Sequence, residues 1–200
     1  MSVALPQPSL VLADTWSRSR VADVVTIAAA TTLTALCAQI SIPVPGSPVP
    51  VTGQTFAVLL SAAAIGPVRG AIAQSLYVGL ALLGVPVLAG HASGSTAVFG
   101  ATGGYLLGFI AASLVVGSLA RRGWSRRPGR VVVSYVAGSA VIYLLGVTWL
   151  SRSTGLSLSA AISVGLTPFL VGDLLKAALA AGALPLAWRG VRRLEGDPES

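Results

Sequence analysis

The sequence predicts an all-α, polytopic membrane protein with six transmembrane helices and both termini on the cytoplasmic side. Three observations predict it. Of the 200 residues, 54% are apolar and only 10% are charged, with a mean hydropathy of +0.83; a soluble domain carries about 25% charged residues. A soluble chain of this size has too much surface to cover with so few charges, so its exterior belongs in lipid. The apolar residues also fall into six runs punctuated by Gly, Pro and Arg. Finally, the arginines collect on one side of the resulting topology.

The first run covers about 24–42 and ends at Pro43. A spanning helix needs about 20 residues at 1.5 Å each, so this run is long enough. The Pro-rich stretch from Pro43 to Pro50 that follows is incompatible with a regular helix. The second run (about 54–66) stops at Gly66-Pro67, and the third (about 70–83) stops at Gly84. Both are short, as segments beside a cavity often are, because irregular backbone at membrane depth needs protein or water to satisfy it. A Gly-rich loop over 84–101 leads to the fourth run (about 102–120), then the fifth (about 131–150). Residues 151–165 hold a short helix capped by Ser157, before the sixth run at about 166–188.

With the N-terminus inside, the cytoplasmic side receives Arg18, Arg20, Arg69, Arg121, Arg122, Arg126, Arg127, Arg130, Arg189, Arg192 and Arg193, and the outer side only Arg152. This asymmetry sets the orientation and supports the count of six, because losing one segment would scatter Arg over both sides. Trp149 and Trp188 fall at the expected interfaces. The organisation is a cytoplasmic tail over 1–20, a six-helix transmembrane domain over 21–190 and a second tail over 191–200.

A net charge of +7 does not make this a nucleic-acid binder, because the Arg residues punctuate apolar runs and no aromatic-basic motif accompanies them. One cysteine, Cys37, and one histidine, His91, exclude an intrachain disulfide and a zinc site of Cys and His ligands. No GxxxxGK[ST] motif is present to bind ATP through a P-loop.

Within the spans, Asp173 and Lys176 are the only ionisable side chains besides Tyr and Cys37. Three residues apart, they share one helix face. A charge at membrane depth costs about 2.5–3.5 kcal/mol even on the lenient insertion scale, so such groups face each other or a cavity. The pair is therefore either a lock on the sixth helix or a binding site near its outer end, about six residues below a start formed by Thr167 as N-cap and Pro168 at N1. Two further segments converge on that outer side. Thr52, Gln54 and Phe56 open the second helix, and Thr102, Gly103, Gly104 and Tyr105 open the fourth. Few polar groups among apolar and aromatic walls suit a small organic ligand. Capping by Thr52 and Gln54, and ordinary packing by Phe56 and Tyr105, are the competing readings. Gly100, Gly104 and Gly108 recur every four residues, as for close helix packing. In the first helix Ala28, Thr31, Thr32 and Ala35 form a smooth face for another helix or a partner subunit.

The stretches Pro50-Val51-Thr52-Gly53-Gln54-Thr55-Phe56, Ala101-Thr102-Gly103-Gly104-Tyr105-Leu106-Leu107-Gly108-Phe109 and Thr167-Pro168-Phe169-Leu170-Val171-Gly172-Asp173-Leu174-Leu175-Lys176, in this order, resemble the BioY family. Members of that family are the biotin-binding S components of energy-coupling-factor (ECF) vitamin transporters. The resemblance covers about 21–190. It implies a multi-pass protein of the cytoplasmic membrane that captures biotin from outside, is not itself an enzyme and uses no cofactor. Its implied partners are a transmembrane T component and two cytoplasmic ATPases. Asp173 and Lys176 occupy the family's Gly-Asp-x-x-Lys positions, and the Ala28, Thr31, Thr32, Ala35 face looks like the surface that meets the T component. The competing functions are a proton-coupled carrier acting without ATPases, with Asp173 as relay, and a membrane-embedded acid/base enzyme.

Overall fold

The computed structural model describes residues 11–15 and 19–194. Arg18 and most of both expected tails lie outside the described residues. The helices are α1 (Arg20–Gln39), α2 (Gln54–Ile65), α3 (Pro67–Leu82), α4 (Gly94–Val98), α5 (Gly103–Arg121), α6 (Pro128–Thr154), α7 (Leu158–Gly165) and α8 (Leu170–Leu194). Each of the six apolar runs is thus helical. Among the described residues, four helical stretches are long and apolar enough to cross a membrane: Arg20–Gln39, Gly103–Arg121, Pro128–Thr154 and Leu158–Arg193, the last taking α7 and α8 together. The chain is therefore an integral membrane protein. With 12 and 16 residues, α2 and α3 extend only about 18 and 24 Å.

The shortness of α2 has a physical counterpart in its burial. Gln54, Ala57, Val58, Leu59, Ser61, Ala62, Ala63 and Ile65 are all buried, so α2 lies inside the bundle, where protein rather than lipid surrounds it. It meets α3 at Gly66, whose φ of 89° is a left-handed conformation that favours glycine. Pro67 then starts α3, where its missing N–H costs nothing.

The most extensive helix contact is between α5 and α6. Gly104 and Gly108 allow it: a Cβ on Gly104 would stand 2.2 Å from Trp149 Cβ, and one on Gly108 2.8 Å from Ile142 Cα. The four-residue glycine spacing is therefore a packing device at these two positions. Gly100 instead lies in the preceding turn, where its carbonyl accepts from Trp149 Nε1 at 2.9 Å. On the other side, α1 packs on α3 through hydroxyls rather than glycines. Thr31 Oγ1 donates to Ala73 O at 3.0 Å, and Gln74 Nε2 donates to Thr34 Oγ1 at 3.2 Å.

Several expectations are corrected. The all-α class holds except for a two-residue antiparallel ladder, Ser41 opposite Thr52 and Ile42 opposite Val51, which clamps the two ends of the Pro-rich stretch. The loop over 84–101 contains α4 and a 3-10 turn at Ala89–His91. Ser157 caps α7, its Oγ accepting from Ala160 N at 3.2 Å. By contrast, Thr167 is not an N-cap: it lies in a 3-10 turn, Thr167–Phe169, and its hydroxyl donates back to Ile162 O at 3.3 Å. Helix α8 continues past residue 190 to Leu194, with Arg192 and Arg193 in a last turn where cations offset the helix dipole. Trp149 and Trp188 do not simply face the membrane interface. Trp188 is buried, donates to Ser125 Oγ at 3.0 Å and carries the Arg126 guanidinium 4.3 Å above its ring.

The arginine-bearing ends are drawn together. Arg69, at the start of α3, donates to Asp14 at 2.6 Å and to Asp23 of α1 at 2.7 Å. Burial raises the Asp14 carboxyl, but the hydrogen bonds from Arg69 and the Val11 N–H, with the charges of Arg69 and Arg121, outweigh it and hold the group below its ordinary range. A carboxyl depressed in the folded state stabilises fully above its unfolded pKa and stops doing so as pH falls through its folded value. Asp14→Asn is thus expected to lower the melting temperature at neutral pH, with the gap to the wild type closing in acid. Melting curves of both proteins across that pH range check this; a gap independent of pH would refute it.

Candidate functional site

At the end of the bundle away from these arginines lies a cavity of about 350 Å³. Its rim comes from three irregular segments: Pro48 to Pro50 before α2, Leu88 to Ala92 after α3, and Gly100 to Thr102 before α5. Its walls are Tyr105, Leu106 and Phe109 of α5, Tyr143 of α6 and Phe169. Lys176 reaches it from α8. The volume falls within the range of small-molecule pockets, about 300–1,000 Å³, and so does the character: apolar and aromatic walls with a few polar groups.

The aromatic side is ordered. Tyr105 and Tyr143 meet edge to face, with centroids 6.4 Å apart at 87°. Tyr143 and Phe169 are 6.2 Å apart at 51°. Tyr105 is fixed further by its hydroxyl, which donates to Gly165 O at 2.7 Å and so ties α5 to the end of α7.

The polar side centres on Lys176. Its Nζ donates to Thr55 Oγ1 at 2.6 Å and to Asp173 Oδ1 at 3.1 Å. An ammonium has three donors, so one N–H is left for the cavity. Asp173 accepts at Oδ2 from the Tyr143 hydroxyl at 2.5 Å, and Thr55 Oγ1 stands 3.5 Å from its Oδ1. Side-chain exposures of 14% for Lys176 and 13% for Asp173 make this a largely desolvated pair, in which each charge depends on the other. Thr96 and Thr102 also line the cavity, and neither hydroxyl has a protein partner among the described residues. Together these groups suit a small, mostly apolar molecule with an acceptor or anionic group near Lys176 and further polar atoms near the two threonines.

Of the residues the sequence singled out, Thr52, Gln54, Thr102, Tyr105 and Lys176 line this cavity. The N-cap of α2 is Gly53, with no side-chain cap; Thr52 and Gln54 brace each other and the rim instead. Gln54 N donates to Thr52 Oγ1 at 3.3 Å, Thr52 Oγ1 donates to Gln54 Oε1 at 2.9 Å, and Gln54 Nε2 donates to the Tyr77 hydroxyl at 2.7 Å. Tyr77 in turn donates to Val87 O at 3.0 Å, which anchors the rim segment after α3. Asp173 lies behind Lys176 and lines a second, larger groove between α6, α7 and α8 instead. Phe56, Gly103 and Gly104 are not in the cavity wall. Phe56 offers its carbonyl to Tyr135. Gly103 N–H is used on Gly100 O, and both glycines pack on Trp149. On α1, Ala28 and Thr32 are exposed, while Thr31 is buried against α3 and Ala35 packs on the core.

Sequence reasoning missed Tyr143, Thr55, Phe109 and Phe169 as members of this site. Tyr143 left a signal: a hydroxyl in the middle of an apolar run needs a partner at that depth.

The model of the BioY family matches residues 11–193. Among curated proteins, the chain is 42% identical over 151 residues to the biotin transporter BioY of Thermotoga maritima, covering 76% of this chain and 86% of the relative. It is 38% identical over 151 residues to a probable biotin transporter BioY of Pyrococcus horikoshii, covering 74% and 85%. Among solved structures, the fold matches the S-component for biotin from an ECF-type ABC transporter with a TM-score of 0.72 at 24% identity, over 90% of this chain and 96% of that one.

Proposed function

The chain belongs to the BioY family, and from that premise we propose that it captures biotin in the cavity beside Lys176 and carries it across the cytoplasmic membrane. It is a transport protein and not an enzyme. The observation that carries the site assignment is the ammonium of Lys176, which lines the cavity with one donor left over.

Biotin presents a carboxylate on an aliphatic chain, an apolar thioether ring and a ureido group with two N–H donors and one carbonyl. Lys176 donates its free N–H to an oxygen of this ligand. Tyr105, Tyr143 and Phe169 wall the apolar ring, and Thr96 and Thr102 meet the remaining polar atoms. Asp173 holds Lys176 in place. Thr52 and Gln54 hold the mouth of the cavity in shape, through Tyr77 and the rim at Val87.

The same proposal includes six membrane crossings, with α2 and α3 as short ones, and the tails before α1 and after α8 on the cytoplasmic side. The one-sided distribution of Arg supports that orientation. As an S component, the chain would work with a T component and two cytoplasmic ATPases. The exposed small residues Ala28 and Thr32 on α1 are the part of the expected interface free to meet another helix. Equilibrium binding of labelled biotin to the detergent-purified chain tests the function. Displacement by biotin but not by thiamine or riboflavin is the expected result. A folded sample that binds no biotin would overturn the proposal.

A further inference from the structure

Tyr143 stands where two cavities meet. One face of it lines the cavity beside Lys176, and with Asp173 it also lines the groove of about 720 Å³ between α6, α7 and α8. The two oxygens of Asp173 are held from different elements. Oδ2 receives the Tyr143 hydroxyl from α6 at 2.5 Å, and Oδ1 receives Lys176 from its own helix at 3.1 Å. Lys176 is held a second time by Thr55 of α2 at 2.6 Å. Three helices therefore converge on one ion pair, and Tyr143 supplies the contribution of α6.

We propose that Tyr143 is a positioning residue for ligand binding: its hydroxyl fixes the rotation of the Asp173 carboxylate, and so keeps the Lys176 ammonium turned into the cavity. The inference rests on the reading of that cavity as the biotin site. A carboxylate rotates broadly about its last torsion when nothing holds it. Largely desolvated, an oxygen that loses its donor takes another one. Two donors are within reach: the Thr55 hydroxyl already faces Oδ1 at 3.5 Å, so Oδ2 takes the Lys176 ammonium, whose third N–H would then turn from the cavity toward Asp173. The ring of Tyr143 has a separate role. It is packed between Tyr105 and Phe169, and Tyr143→Phe keeps that wall while removing only the hydroxyl.

The test is a double-mutant cycle on labelled-biotin affinity with Tyr143→Phe, Asp173→Asn and the double variant, each checked by its melting temperature in detergent. Tyr143→Phe is expected to weaken binding about tenfold or more, the scale of one hydrogen bond to a charged group. In the Asp173→Asn background the same change should have an effect of about twofold or less, because the hydroxyl acts through the carboxylate. A merely structural role for the ring predicts that Tyr143→Phe binds like the wild type, which overturns the proposal. Effects that multiply in the double variant overturn it too. Wild-type protein that binds biotin with either of these outcomes leaves the function standing; wild-type protein that binds none overturns both.

Discussion

Lys176→Ala is expected to reduce biotin affinity about tenfold to a hundredfold. The change removes the charged donor from the cavity wall, and a hydrogen bond from a charged group contributes about 1.5–3 kcal/mol. It also strands Asp173, whose partners would be reduced to Tyr143 and the distant Thr55. Breaking a buried ion pair on one side costs about 3–5 kcal/mol of stability, so loss of binding alone would not separate contact from folding. The double variant Lys176→Met with Asp173→Asn separates them. With both charges replaced, the desolvation penalty goes with them, and stability should return toward that of the wild type. Binding should not return. Equilibrium biotin binding and melting curves on the three proteins decide the matter. If the stable double variant bound biotin normally, Lys176 would be a lock on α8 and not a ligand contact.

Gly104→Val is expected to be the most damaging single substitution at the α5–α6 contact. A Cβ there would lie 2.2 Å from Trp149 Cβ and 2.4 Å from the Leu145 carbonyl oxygen. The second of these is backbone of α6, so a side-chain rotation cannot make room, and the helices must separate. Overpacking costs about 1–3 kcal/mol where the neighbours can adjust, and this site lies at or beyond the upper end. Because Tyr105 and Tyr143 sit on these two helices, the cavity should be lost with the contact. Gly79→Ala is the matching control. Its Cβ would meet nothing within 4 Å in the last turn of α3, so it should leave stability unchanged or raise it by less than the about 0.5–1 kcal/mol of a mid-helix position. Melting temperatures and size-exclusion profiles in detergent compare the two. A well-folded Gly104→Val protein with normal biotin binding would contradict the packing argument.

Much of the site was legible before any fold was known. Two opposite charges three residues apart in an apolar run announce a site or a lock on thermodynamic grounds alone, and Asp173 and Lys176 do form that pair at 3.1 Å. The threonine and glutamine at the start of α2 were equally visible, and the structure uses them as lining and as braces, while Gly53 takes the N-cap position. The two roles are compatible because a polar side chain beside a cavity can be held by a protein partner on one side and face the cavity on the other. Phe56, Gly103 and Gly104 were legible only as residue types. An aromatic residue or a glycine near a helix start serves packing as well as binding, and here neighbouring helices take all three.

The sequence by itself determined that this chain lives in a membrane, where its apolar helices begin and end within a few residues, and which pair of charges it keeps at depth. Composition, helix-breaking residues and the cost of a charge in lipid are local properties, readable from one segment at a time. Only the tertiary structure decided that α2 is an interior helix, that Asp173 stands behind Lys176, and that Tyr143 and Thr55 hold the pair. Those partners are 30, 118 and 121 residues apart in the chain. Which face of one helix meets which face of another depends on how all the helices pack together, and no periodicity within a single run encodes it.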